Sequence, residues 1–252
     1  MPRQARKKSN SGIYHVMLRG INRQNLFEDN EDRQRFINTI GYYKTISGYN
    51  LYGYCLMDNH IHLLLRETNE SISMGIKRIS SSFVHWYNQK YNRCGHLFQE
   101  RYKSEVVENE RYFLTVLRYI HQNPIKAGIV KKLEQYPWSS YREYIGRANI
   151  TDVDFALEFF SKDKLEAVEL FKEYSKKENE DQCLEMRETV RVSDAEVIAY
   201  MKRLGIQTVS HLQRLEKKER NEIIRAIKRI EGVSIRQLAR ITGISKSVIS
   251  RI

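Results

Sequence analysis

His60 and His62 are one residue apart in the stretch Cys55-Leu-Met-Asp-Asn-His-Ile-His-Leu-Leu-Leu65. On a β-strand successive side chains point to opposite faces, so the two imidazoles project together while Ile61 and Leu63 face the other way into a core. Two imidazoles side by side on a rigid strand make half of a divalent-metal site. At a strand end the same pair can also serve as plain hydrogen-bonding groups. A metal held by two histidines needs a third protein ligand and open positions for a substrate. The stretch from Glu110 to Asn123 offers Tyr112, Tyr119, His121, Gln122 and Asn123. Tyr119 and Asn123 are four residues apart and share a helix face if the helix persists that far. A tyrosine aimed at a metal-bound phosphate is a candidate covalent nucleophile. The metal would polarise the phosphoryl oxygens and offset charge building in the transition state, and the amide oxygen of Asn123 could complete its shell. Spacing alone does not choose the tyrosine, because the chain has 16 and Tyr112 lies two turns from Tyr119 on roughly the same face.

The elements that must position these residues read as follows. Ile13 to Ile21 is rich in β-formers and reads as a first strand. Asp29 to Asp32 supply capping residues and first-turn acids for a helix over Arg33 to Ser47, ending at Gly48. Tyr49 to Met57 reads as a second strand, Asp58-Asn59 as a turn, and His60 to Arg66 as a third strand. Ser71 to Tyr91 reads as a long helix, with Ile72, Ile76, Ile79, Phe83, Trp86 and Tyr87 on one stripe. Tyr102 to Val107 is a fourth strand. Glu110 to His121 is a helix ended by Asn123-Pro124, because proline disfavours helix for the residue before it. A further short turn reaches Gly128. The first six elements of this β-α-β-β-α-β-α order match a ferredoxin-like plan: an α+β fold with an antiparallel sheet, helices on one face and the other face left for a site. The aromatic run Tyr136 to Tyr141 is expected to pack back on this domain.

The chain has 252 residues, 41% hydrophobic and 29% charged, with a net charge of +12. The charge is uneven: net +10 over residues 1–150, −5 over 151–191 and +7 over 192–252. Two basic blocks around an acidic one point to two modules that face a polyanion, with nucleic acid the first candidate. The domain reading is therefore 1–150, an acidic helical connector over 151–191, and 192–252. Residues 1–11 form a basic tail suited to phosphates. In the last block, a short helix over Ile235 to Ile241, a turn at Gly243 and a final helix with Ser245 as N-cap make a helix-turn-helix pattern. Ser245, Lys246, Ser247, Ser250 and Arg251 would be its DNA contacts. The bland alternative is an interaction bundle. Three widely spaced cysteines suit a reducing cytoplasm. The N-terminus lacks the apolar segment of a signal peptide, and no apolar run is long enough to cross a bilayer, so a membrane role is not expected.

The motifs together resemble a known family. His60-Ile61-His62 after Met57-Asp58-Asn59, the run Tyr119-Ile-His-Gln-Asn-Pro-Ile-Lys-Ala-Gly128, Gly95 to Ser104 and Trp138-Ser-Ser-Tyr141 are similar to single-tyrosine HUH transposases of the REP-associated branch. The C-terminal segment is similar to the helix-turn-helix domain of the bacterial replication initiator DnaA. The resemblance implies that His60 and His62 are metal ligands, that Tyr119 is the nucleophile, and that Asn123 takes the third-ligand position, where some relatives have Gln. It implies Mg²⁺ or Mn²⁺ as cofactor and strand transfer on single-stranded, hairpin-forming DNA through a 5′-phosphotyrosine. The protein would be a monomer or homodimer in the cytoplasm, associated with the nucleoid, and its C-terminal domain would hold duplex DNA. Arg19, Arg23, Lys77, Arg78, Arg101 and Lys103 are expected as backbone contacts, and Trp86 as a base-stacking aromatic. Two other readings compete. One is a DNA-binding regulator that has lost activity on the same fold, which the intact His60, His62 and Tyr119 set opposes. The other is an RNA-binding sheet, which requires exposed aromatics such as Tyr52 and Tyr54.

Overall fold

The computed structural model describes residues 6–184, 192–230 and 232–252, which belong to two units, Met1–Glu185 and Met186–Ile252. In the first unit β1 (Ile13–Arg19), α1 (Asn30–Ser47), β2 (Asn50–Leu56), β3 (His60–Arg66), α2 (Ile72–Lys90), β4 (Lys103–Val106) and α3 (Glu110–Lys126) follow in the order read from the sequence. The strands pair antiparallel in one sheet, ordered β2-β3-β1-β4.

Alternation along the strands feeds two cores. Val16, Leu18, Leu56, Ile61, Leu63 and Leu65 meet Phe36 and Ile40 of α1 and Ile76, Ile79 and Phe83 of α2. Ile13, Tyr52, Cys55 and Leu64 point the other way and meet Phe113, Val116, Leu117 and Ile120 of α3. Thus α1 and α2 share one face, as the ferredoxin-like plan requires, and α3 lies across the face that plan leaves open. Because both faces are covered, the strands are apolar on both sides, as buried strands are.

Local chemistry fixes the element ends. Asp29 and Asp32 form a capping box at the start of α1, and the Lys90 ammonium at the end of α2 reaches Asp29, Glu31 and Asp32 at 2.8 Å each. Gly48 ends α1 at φ +73, where a Cβ would stand 2.4 Å from the Asn69 amide nitrogen. Asn109 caps α3 by accepting from the Tyr112 N–H at 2.8 Å. Contrary to the sequence reading, α3 does not end at Asn123-Pro124 but runs through Pro124 to Lys126. Proline removes one N–H from the ladder, and the burial of Ile120, His121, Gln122 and Pro124 holds the helical path against that loss. Gly128, at φ +70, makes the exit.

The aromatic run after α3 does pack back. The Leu56 N–H donates to the Trp138 carbonyl at 2.9 Å and the Ser140 N–H to the Tyr54 carbonyl at 3.0 Å, so this segment covers the outer edge of β2 before α4 (Tyr141–Ile145).

The stretch expected as an acidic connector instead folds, over most of its length, onto the first unit. Its α5 (Val153–Leu157) and α6 (Lys164–Lys176) bury Val153, Ala156, Leu157, Ala167 and Phe171 in the core of α3. The Phe171 ring stacks on Tyr144 at 4.5 Å. Its acids line exposed positions around this apolar stripe, so net charge alone concealed a packed layer. Beyond α6 the chain straps α3. The Gln122 amide donates to the carbonyls of Ser175 and Lys177 at 2.8 and 3.0 Å, and Arg118 meets the Asp181 carboxylate through two bonds of 2.8 and 2.9 Å. The expected domain boundary at 191 lies outside the described residues, as do residues 1–5 of the basic tail. Arg6 lies over the Tyr102 ring at 3.7 Å.

The second unit contains α7 (Asp194–Arg203), α8 (Val209–Arg214), α9 (Lys217–Lys228), α10 (Ile235–Thr242) and α11 (Lys246–Arg251). Val197, Met201, Leu212, Ile224, Ile227, Leu238 and Ile249 form its core. Gly243 turns at φ +70 between α10 and α11, and Ser245 occupies the N-cap position of α11, as the sequence pattern indicates.

Candidate active site

His60 and His62 sit on the α3 side of β3, with ring centroids 5.1 Å apart. His62 is buried and His60 half-buried. The Asn59 amide oxygen lies 2.7 Å from His60 Nδ1. An amide oxygen only accepts, so His60 donates from Nδ1. His62 Nδ1 lies 2.9 Å from Nε2 of His15 on β1. Burial pushes His15 down to about 3, and burial together with the neighbouring His15 and His60 holds His62 well below the usual histidine value. Both rings are therefore neutral at pH 7, the form in which imidazole ligates a metal.

From the opposite side α3 brings Tyr119, buried, with its ring edge-on to His62 at 5.6 Å and to His15 at 5.9 Å. The Lys126 ammonium stands 5.1 Å from the Tyr119 ring centroid. The Asn123 amide nitrogen donates back to the Tyr119 carbonyl at 2.8 Å, which fixes the amide plane and assigns Oδ1 as the atom a cation would use. The other candidates from this helix go elsewhere. His121 Nε2 is 2.8 Å from Ser140 Oγ, among the rings of Tyr141, Tyr144 and Phe171, and serves the core. Gln122 holds the strap. Burial and a hydrogen bond to Glu105 push the Tyr112 hydroxyl far up, which opposes the phenolate that a nucleophile requires.

Among the described residues no group of three His, Cys, Asp or Glu is placed to hold a metal ion. The donor set to consider is two imidazoles and an amide oxygen. It fits a divalent cation in one respect that the structure displays: each histidine has Nδ1 engaged by a protein neighbour, the arrangement typical of ligating histidines that use Nε2.

The residues expected at DNA divide. Arg19 is directly opposite His60 in the β1–β3 register, and Lys103 is opposite Met17 in the β1–β4 register; cross-strand partners share a face, so both belong to the histidine face. Arg23 is exposed in the turn after β1, at φ +63. Lys77 and Arg78 are on α2, which covers the other face. Arg78 is paired with Glu70 at 2.9 Å, while Lys77 and Arg101 line a groove of about 880 Å³ between α2 and residues 96–102. Trp86 packs on Phe83 of α2, with the Lys90 ammonium 5.1 Å from its ring. Tyr52 and Tyr54 are 2% and 4% exposed, so the sheet offers no aromatic platform of the kind the RNA-binding reading requires. In the second unit Ser245, Lys246, Ser247, Ser250 and Arg251 are all exposed on or beside α11.

Residues 8–123 match the family model described as "Transposase IS200 like". That match covers 116 of the 252 residues, a domain-length stretch within the first unit. The chain is similar to a putative REP-associated tyrosine transposase of Haemophilus influenzae, 25% identical over 124 residues, 44% of this chain and 68% of that protein. It is also similar to the REP-associated tyrosine transposase of Escherichia coli K12, 25% identical over 105 residues, 40% of this chain and 59% of that one. Among solved structures it resembles a REP-associated tyrosine transposase bound to a REP hairpin, with a TM-score of 0.52 and 19% identity over 60% of this chain and 94% of that chain. This last likeness bears out the α+β fold. The transposase match runs from the end of the basic tail to Asn123 and so contains His60, His62, Tyr119 and Asn123. His15 and Glu105 lie within it too, and sequence reasoning did not single them out. The signal available was alternation: Ile13, His15, Met17 and Arg19 share one face of β1, the face that α3 covers.

Proposed function

We propose that the first unit nicks and rejoins single-stranded DNA at hairpins through Tyr119, with His60, His62 and Asn123 holding Mg²⁺ or Mn²⁺. The observation that carries this reading is the placement of Tyr119 edge-on to His62 beneath α3, while Tyr112 turns to a carboxylate. The bound cation would polarise the scissile phosphate and offset its developing charge. The chain supplies the rest. Packing of α3 and the strap fix the Tyr119 ring, which limits the geometries from which its oxygen can attack. The Lys126 ammonium stands 5.1 Å from the centroid of that ring and adds positive charge beside the place where the phosphate would lie. Attack by the Tyr119 oxygen on phosphorus expels the 3′-oxygen as a 3′-OH and leaves a 5′-phosphotyrosine. A 3′-OH from a second strand then displaces the tyrosine. The bond energy is retained in the covalent link, so no nucleotide cofactor is required. Arg19 and Lys103, on the histidine face, would hold the phosphate backbone. The second unit, with the exposed Ser245, Lys246, Ser247 and Arg251, is the partner for duplex DNA.

The test uses end-labelled single-stranded hairpin DNA, the full chain and Mg²⁺ or Mn²⁺ on a denaturing gel. A covalent band is expected, abolished by chelator and by Tyr119→Phe and kept by Tyr112→Phe. Adducts that persist in Tyr119→Phe and vanish in Tyr112→Phe would overturn the assignment. Binding without adducts, across hairpins and both metals, would transfer the reading to an inactive DNA-binding regulator.

A further inference from the structure

His15 and Glu105 have no part in the reaction as described, yet both converge on the histidine pair. His15 stands directly opposite Glu105 in the β1–β4 register and opposite Leu64 in the β1–β3 register, one pleat from His62. Its ring is fully buried. Its Nε2 is 2.9 Å from His62 Nδ1, and its Nδ1 points towards Glu105 Oε2 at 4.0 Å. Both the His15 Nδ1 and the Glu105 Oε2 are buried atoms with no hydrogen bond of their own, which leaves each open to the other.

Two proton arrangements are open to a pair of neutral imidazoles joined Nε2 to Nδ1. In the first, His15 donates from Nε2. Its Nδ1 lone pair then faces the carboxylate, and His62 must carry its own proton on Nε2, where it cannot ligate. In the second, His15 carries its proton on Nδ1, towards the carboxylate, and accepts at Nε2 from His62 Nδ1–H. His62 then keeps its lone pair on Nε2. A carboxylate opposite Nδ1 repels the first and attracts the second. We propose that His15 is a positioning residue: Glu105 selects its tautomer, and His15 in turn fixes the tautomer and ring orientation of His62, so that His62 presents the Nε2 lone pair to the cation. On the other histidine Asn59 does the same work in one step, so the two ligands are set by independent supports. This inference rests on the reading of His60 and His62 as metal ligands.

The experiment measures Mn²⁺ binding to the full chain without DNA, from the free-ion signal in electron paramagnetic resonance, with metal-free thermal unfolding as the check on folding. Wild type should bind and His62→Ala should not. His15→Leu, which keeps bulk and removes the acceptor, should weaken binding about 10- to 100-fold, the range found when the hydrogen-bond partner of a ligating histidine is lost. His15→Gln, whose side-chain oxygen can accept near the position of Nε2, should stay within about threefold of wild type on the same scale. A purely structural role for His15 would not produce that rescue. Glu105→Gln, at a half-exposed position, should fall between the two. If His15→Leu binds Mn²⁺ like wild type, or if His15→Gln is as weak as His15→Leu, the relay is refuted. If His15→Leu does not fold, Glu105→Gln decides: unchanged affinity refutes the relay and weakened affinity supports it. Absence of binding in wild type, or binding retained in His62→Ala, would instead remove the metal reading on which the relay stands.

Discussion

Gly53→Ala should test whether the sheet dictates where Tyr119 stands. Gly53 lies in β2 at a break in its register with β3, between Leu51 and Gly53. A Cβ there would come 2.8 Å from Leu117 Cδ1, against a carbon–carbon contact distance of about 3.5–4.0 Å. The shortfall is roughly 1 Å. Leu117 is 1% exposed and cannot swing into solvent, so part of the shift must be taken up by α3 itself, two residues before Tyr119. Overpacking of this kind costs about 1–3 kcal/mol, or a fall in Tm of roughly 2–12 °C for a chain of this size. A reacting group misplaced by about 1 Å loses on the order of 100-fold in rate. The assay pairs the rate of covalent adduct formation on saturating hairpin DNA with thermal unfolding. Adding Leu117→Ala removes the clashing methyl, so the double variant should lose less stability than the sum of the two single changes. A Gly53→Ala protein with lowered Tm but an adduct rate within threefold of wild type, or strict additivity in the cycle, would refute the idea that contact between Gly53 and Leu117 sets the tyrosine.

Three more expectations follow from other parts of the molecule. Burial lowers His121 from 6.5 to about 3, so between those values the unfolded chain binds a proton that the folded chain refuses. Its contribution to stability is complete above pH 6.5 and is lost as pH falls, at about 1.4 kcal/mol per pH unit; His121→Gln should flatten the slope of urea-derived stability between pH 5.5 and 4.5 by roughly that amount, and an unchanged slope would contradict the burial argument. Asp181→Ala breaks the paired bonds to Arg118 and should lower stability by about 1.5–3 kcal/mol, read by urea unfolding, with no loss if the strap is dispensable. Lys246→Ala and Arg251→Ala should each reduce the salt dependence of duplex-DNA binding by about one unit of slope while leaving hairpin cleavage unchanged; equal effects on both activities would argue against separate roles for the two units.

Strand period made the histidine face readable: with His60 and His62 two apart, they could only project together, and β3 has the bounds read from the sequence. Helix period likewise joined Tyr119 to Asn123. Spacing does not separate Tyr112 from Tyr119, because the difference in their surroundings, Glu105 beside the one and His62 beside the other, exists only once α3 lies on the sheet. His15 was hidden for the same reason, since its meaning lies in the register of β1 between β3 and β4. The end of α3 was misread because the rule for a residue before proline is local, whereas burial of Ile120, Gln122 and Pro124 is not. The acidic stretch was misread because net charge averages over faces: Phe171 and Ala167 form an apolar stripe inside a segment whose total charge is negative.

The strap has a consequence in time. The ribosome delivers α3 well before residues 175–181, so a nascent chain that has emerged only through Lys126 holds the tyrosine helix with Arg118 and Gln122 still lacking their partners. The helix can lie on the sheet at that stage, but its outer side is not yet fastened. The bonds that fasten Arg118 and Gln122 form only once the chain through Asp181 has been made, so a fragment that ends before Asp181 contains every proposed reacting group on a helix that lacks these bonds.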